Sequence, residues 1–135
     1  FRNCLGQNDA TDANAIIFSQ FAHRNNEVVC KGNDGSEQPV IQNVASMKAR
    51  FLTQDYTTGT PIMNYRTAAE VESLPNTWAN VYAIEVCLEL VGTETIDTVG
   101  TKYTNCENVE VDRGNRLRLV FKNVFQIRSQ GQPGV

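Results

Sequence analysis

Residues Asn80–Val91 read NVYAIEVCLELV, with Tyr82, Ile84, Val86, Leu88 and Leu90 on one side and Val81, Ala83, Glu85, Cys87 and Glu89 on the other. Successive side chains of a strand point to opposite faces, so this alternation predicts a β-strand with its even-numbered apolar face in the core. On that reading Glu85 and Glu89 are solvated charges on the outer face. A carboxylate pair set up for acid–base chemistry is the sharper alternative.

Flanking segments repeat the pattern. Over Val44–Leu52, Ala45, Met47, Ala49 and Phe51 alternate with Ser46, Lys48, Arg50 and Leu52, which predicts a half-buried strand. Over Arg116–Arg128, Leu117, Leu119 and Phe121 oppose Arg116, Arg118, Val120 and Lys122. Residues 53–66 read as a turn-rich connection. Thr67-Ala68-Ala69-Glu70 has the spacing of a capping box and opens a short helix to about Leu74, which Pro75 ends. Toward the start, Ala15–His23 is β-prone, with Ile16, Phe18 and Phe21 on its buried side. Asn25-Asn26 tolerates the positive φ of a tight turn, and Glu27–Lys31 completes a hairpin with Val28 and Cys30 facing inward. Residues 32–39, GNDGSEQP, read as a loop, with Pro39 marking where the next element begins. The sum is an α+β domain over residues 1–135, mostly antiparallel β with one short helix and no internal repeat.

A chain of 135 residues suits one domain, and 41% apolar with 20% charged residues is ordinary for a globular protein. A net charge of −3 gives no electrostatic case for wholesale nucleic-acid or membrane-surface binding. The chain begins at Phe1 with no basic-then-apolar leader and no run of apolar residues long enough to span a bilayer, so a segment removed upstream is expected. Cys4, Cys30, Cys87 and Cys106 are dispersed singly, without the C-x-x-C spacing of a zinc knuckle or redox site. An even, scattered set favours disulfides and an extracytoplasmic compartment, although three pairings are open. The sequence-local pairs Cys4–Cys30 and Cys87–Cys106 would each close a short loop, worth about 3 kcal/mol.

The chemical inventory points away from catalysis. His23 is the one histidine and has no nucleophile placed beside it by any motif. Asp9 with Asp12, or Asn33 and Asp34 with Glu37, could offer oxygen ligands to calcium, but neither set has EF-hand spacing, and turn chemistry accounts for both. No metal or cofactor is therefore expected. Arg113, Arg116, Arg118, Lys122 and Arg128 form a basic stripe that could touch phosphate, but without interleaved aromatics DNA contact has no support. Binding to other proteins remains, through loops and strand edges. The Gly92–Asn115 excursion, with Thr93, Glu94, Asp97, Lys102, Tyr103 and Glu107, is the candidate contact region. A stapled loop without a partner is its plain alternative.

Taken in order, VIQNVASMKARF (40–51), TAAEV (67–71), WANVYAIEVCLEL (78–90) and DRGNRLRLVFKNVFQIR (112–128) resemble the PilW family of type IV pilus minor pilins. The likeness covers residues 40–128, with a departure at the ending KNVFQIR. Cys-Leu-Gly at 4–6 and Val-Val-Cys-Lys-Gly at 28–32 look like that family's paired cysteines, which implies Cys4–Cys30. The resemblance implies a pilin-like head, similar to the J-type pseudopilin of type II secretion, behind an apolar N-terminal helix that would lie before Phe1. It implies a non-catalytic subunit that anchors in the inner membrane with a periplasmic head and then joins the extracellular pilus tip. Its partners would be other minor pilins and the major pilin. A J-type pseudopilin, or a secreted ligand-binding β domain with a concave pocket, stands as the alternative.

Overall fold

The alternating segments pair antiparallel throughout in the computed structural model, which describes residues 2–8, 16–55, 59–75 and 77–127. Strands β1 (Gln20–Arg24), β2 (Glu27–Lys31) and β3 (Glu37–Gln42) form a small sheet in the order β1-β2-β3. Strands β4 (Val44–Asp55), β5 (Ile62–Arg66), β6 (Val81–Thr95) and β9 (Arg116–Gln126) form the main sheet, in the order β5-β4-β6-β9. Strands β7 (Lys102–Thr104) and β8 (Glu110–Asp112) make a separate hairpin, and α1 (Ala68–Glu72) with a 3-10 turn (Thr77–Asn80) joins β5 to β6. No helix among the described residues is long and apolar enough to cross a membrane.

Local chemistry sets these boundaries. Asn25 and Asn26 take φ of 52° and 59° at the β1–β2 turn, where asparagine bears the left-handed conformation better than most residues. Thr67 accepts from the Glu70 N–H at 3.3 Å while the Glu70 carboxylate takes the Thr67 N–H at 2.7 Å, so the capping box is complete. The Thr67 N–H and the Thr67 hydroxyl, which also donates to the carboxylate at 2.9 Å, hold the Glu70 carboxyl below its usual range. Asn43, at φ 59°, turns the chain from the small sheet into the large one, and the His23 Nε2–H donates to the Val44 carbonyl at 2.8 Å across the join. Val44 is fully buried at that seam.

Several expectations are corrected. Ile16 is 82% exposed, and Phe18 and Phe21 also face solvent, because β1 begins only at Gln20 and no layer among the described residues covers that side. Ala15 lies outside the described residues, as does Arg128 at the other end. Pro39 stands inside β3 rather than before it, which a strand at a sheet edge allows because no ladder donor is needed there. The 53–66 connection contains the end of β4 and all of β5, paired from Phe51↔Arg66 to Asp55↔Ile62.

The largest correction concerns β6. Val81, Ala83, Cys87 and Glu89 are buried, whereas Tyr82, Ile84, Val86, Leu88 and Leu90 are only half-buried. The core therefore lies under the odd-numbered face, not the more apolar even-numbered one. Alternation identifies two faces, and what covers each is decided by the rest of the chain. Here the 92–115 excursion folds over that face, with Cys106 bonded to Cys87 and Tyr103 to Glu89. Val71 of α1 is fully buried where the helix packs against β4, and Trp78 packs edge-on against Phe51, the partner of Ile84.

Candidate interaction surface

Both disulfides form between sequence-local cysteines, Cys4–Cys30 and Cys87–Cys106, with Cα atoms 6.2 and 5.7 Å apart. The first ties the opening segment to β2. Around it, Asn3 is buried and accepts from the Leu5 and Gln7 N–H groups at 3.0 and 2.9 Å. The Asn3 amide donates to Gln7 and Asn33, and the Gln7 amide donates to Asp34 at 2.7 Å. Asn33 and Asp34, raised above as calcium ligands, are thus consumed in a polar clip, with the Asp34 carboxyl held low by hydrogen bonds from Ser36 and Gln7. Glu37 pairs with Arg24 at 2.9 Å. Asp9 and Asp12 lie outside the described residues.

The second disulfide is one of three ties on a single rung. Register places Lys48, Cys87 and Lys122 side by side across β4, β6 and β9. Three consecutive residues of the excursion meet them: Glu107 pairs with Lys48 at 3.1 Å, Cys106 bonds Cys87, and the Asn108 side chain accepts from Lys122 at 2.9 Å. Near this rung the Tyr103 hydroxyl donates to Glu89, which is only 7% exposed and also meets Arg118. The guanidiniums of Arg113 and Arg118 lie 5.6 and 5.8 Å from the Tyr103 ring centre. Burial first, and then the Glu89 carboxylate, push the Tyr103 phenol above its ordinary range.

Glu89 is accordingly not a solvated charge but the anchor of a clamp, while Glu85 is half-buried. The basic stripe is partly spent in the same way, with Arg113, Arg118 and Lys122 engaged inside the molecule. Of the contact candidates, Lys102 pairs with Glu110 and Glu107 with Lys48, while Tyr103 faces inward. Thr93 and Glu94 are exposed at the end of β6, and Asp97 is exposed beyond it. The structure therefore gathers three of the six, Lys102, Tyr103 and Glu107, onto the stapled hairpin and its turn, and leaves Thr93, Glu94 and Asp97 outward.

What the sequence reading missed is the opposite face of the main sheet. Directly paired residues share a face, so register groups Ile84 with Phe51 and Phe125, Leu88 with Met47 and Phe121, and Leu90 with Leu119. Leu119 is 47% exposed, and Phe121 and Phe125 are 55% exposed. A shallow groove runs between β6 and β9 along Val86, Leu88, Phe121 and Phe125, and a second lies by Leu90, Leu117 and Leu119. Scattered exposed apolar residues are common, but here Leu119, Phe121 and Phe125 lie exposed together beside half-buried Leu88 and Leu90, while Trp78 packs edge-on against Phe51 at the Ile84 end of the same face. The signal was present in the alternation itself, as an apolar face that no layer among the described residues fully covers.

Comparison with curated proteins and with solved structures gives no match. The family profile of PilW, type IV pilus-assembly protein W, matches residues 7–129, nearly the whole chain. This agrees with the ordered resemblance over residues 40–128, and the chain belongs to the PilW family of type IV pilus-assembly proteins.

Proposed function

We propose that this chain is the head of a minor pilin that helps initiate type IV pilus assembly and stays in the tip complex with other minor pilins. Its open sheet face would receive an apolar helix. Membership of the family supports a part in pilus assembly and a location in the cell envelope, and the two disulfides suit an oxidising compartment. The observation that carries the finer reading is the exposed row of Leu119, Phe121 and Phe125 beside half-buried Ile84, Leu88 and Leu90 on one face of the main sheet. The helix would be the chain's own, N-terminal to Phe1, anchoring the subunit in the inner membrane before assembly and entering the filament afterward. The head would resemble that of the J-type pseudopilins.

Covering the four most exposed side chains, Leu117, Leu119, Phe121 and Phe125, would remove about half of each from water. At about 1 kcal/mol apiece this contributes roughly 4 kcal/mol, enough to fix the head on a helix. The remaining surface, with Thr93, Glu94 and Asp97 outward, would meet neighbouring pilins. Pull-down of this head with the heads of the other minor pilins tests the reading. Retention of at least one is expected, and loss of the protein should reduce piliation. No binding to any of them, together with normal piliation in the deletion strain, would overturn it.

A further inference from the structure

The main sheet ends at β9, whose outer backbone edge can be read group by group. The Ile127 N–H donates to the Tyr82 carbonyl at 2.8 Å, and the Val91 N–H donates away from β9, to Asn43 at 2.9 Å. Together these set the phase of the ladder: Leu119, Phe121, Asn123 and Phe125 turn their backbone groups toward β6. Arg118, Val120, Lys122, Val124 and Gln126 turn theirs outward. Two side chains already occupy parts of that edge. The Arg113 guanidinium donates to the Arg118 carbonyl at 2.6 Å, and the Asn123 side-chain oxygen accepts from the Val124 N–H at 2.9 Å. Between these guards, the outward N–H and C=O groups of Val120 and Lys122 meet no partner among the described residues.

The chemistry beside this opening is one-sided. From Arg116 to Gln126, β9 carries Arg116, Arg118 and Lys122 and no acidic residue. Its cations share one face, and Leu117, Leu119, Phe121 and Phe125 share the other. On its inner side β9 already pairs with a strand of complementary pattern, because β6 sets Glu85 and Glu89 on the cationic face and Ile84, Leu88 and Leu90 on the apolar one. A second β9 in antiparallel pairing would oppose cation to cation, which disfavours another copy at this edge.

We propose that the outer edge of β9, open at Val120 and Lys122, docks an extended segment of another protein in which apolar and acidic residues alternate. Backbone bonds would supply the attachment, and the alternation the register and selectivity. The site is separate from the helix seat and does not rest on it.

The test uses the oxidised chain and a synthetic peptide of its own residues 84–90 with serine in place of cysteine, IEVSLEL, compared with a version carrying lysine for both glutamates. Amide exchange followed by NMR is expected to show protection of Val120 and Lys122 by the acidic peptide and little by the lysine one. Reversing both Arg116 and Lys122 to Glu should weaken acidic-peptide binding about tenfold, since one peptide glutamate opposite Lys122 and the other on the diagonal from Arg116 would then each face a carboxylate. Asn123→Ala, which frees the Val124 N–H, should extend protection to Val124. Equal protection by both peptides would refute the charge argument. No protection of Val120 and Lys122, or shifts confined to Val86, Leu88 and Phe121, would refute the edge site while leaving the helix seat standing.

Discussion

Replacing Cys87 and Cys106 together by alanine removes the middle tie of the rung that holds the excursion against β6. The bridge spans 19 residues of separation, and the chain-entropy relation gives about 3 kcal/mol of lost stability for a loop of that size. Both cysteines are almost fully buried, so alanine also leaves a small void and no unpaired hydroxyl, which makes it a cleaner probe than serine. Three ties remain. The exposed Lys48–Glu107 pair and the exposed Lys122–Asn108 bond contribute at most about 1 kcal/mol each, and the charge-assisted Tyr103–Glu89 bond roughly 1.5–3 kcal/mol. The hairpin should therefore stay docked on average but open locally far more often. A thermal melt is expected to shift down by roughly 10 °C, and amide exchange should accelerate at Tyr103 and Val111 before it does so in the β4–β6 ladder. A shift under about 3 °C, or unchanged protection of the β7–β8 hairpin, would refute the view that this bridge holds the excursion in place.

Three further outcomes follow from particular contacts. Tyr103 is held neutral by burial and by Glu89, so its folded pKa exceeds the ordinary 10.0. Its contribution is complete below that pH and is lost as pH rises through the higher folded value. Ultraviolet titration should thus show one late tyrosine that Tyr103→Phe removes, and an unchanged curve in that variant would contradict the clamp. At Gly32 an added Cβ would stand 2.2 Å from the Gln7 side-chain oxygen and 2.7 Å from the Asn3 amide nitrogen. Gly32→Ala should break the polar clip and cost about 1 kcal/mol in a urea melt, whereas Gly35→Ala meets no atom and pays only for its positive φ. In the capping box, Thr67→Ala should cost about 1 kcal/mol at neutral pH. Because the Glu70 pKa is lowered, the wild-type advantage should be present above its ordinary 4.5 and fade as pH falls through the folded value. A pH-independent difference would count against the reciprocal cap.

The local rules were legible. Thr67 and Glu70 named the helix start, Asn25-Asn26 the hairpin turn, and Val28 with Cys30 the inward face of β2. These depend on residues within a few positions of one another. What the sequence did not yield depends on contacts made at a distance. Nothing local to β6 says that Glu89 finds Tyr103 and Arg118, or that the stapled excursion covers Cys87 and Glu89 rather than their more apolar neighbours. The same reason explains Phe18 and Phe21, which have the composition of a buried strand but no layer among the described residues above them. Of the contact candidates, Lys102, Tyr103 and Glu107 looked like an outward loop because ion pairs and a ring clamp are invisible until the hairpin is folded down.

The proposed function seats an apolar helix on the open face of the main sheet during pilus assembly. Its most direct test is piliation, counted by electron microscopy, in a deletion strain complemented with the protein carrying Phe121→Glu and Phe125→Glu. A second strain carries Ile16→Glu, an exposed apolar residue outside that face. The melting temperature of the head alone is measured for each variant. The account predicts that the face variant loses pili while its head melts like the wild type, and that Ile16→Glu retains them. Normal piliation with both phenylalanines replaced by glutamate would contradict it.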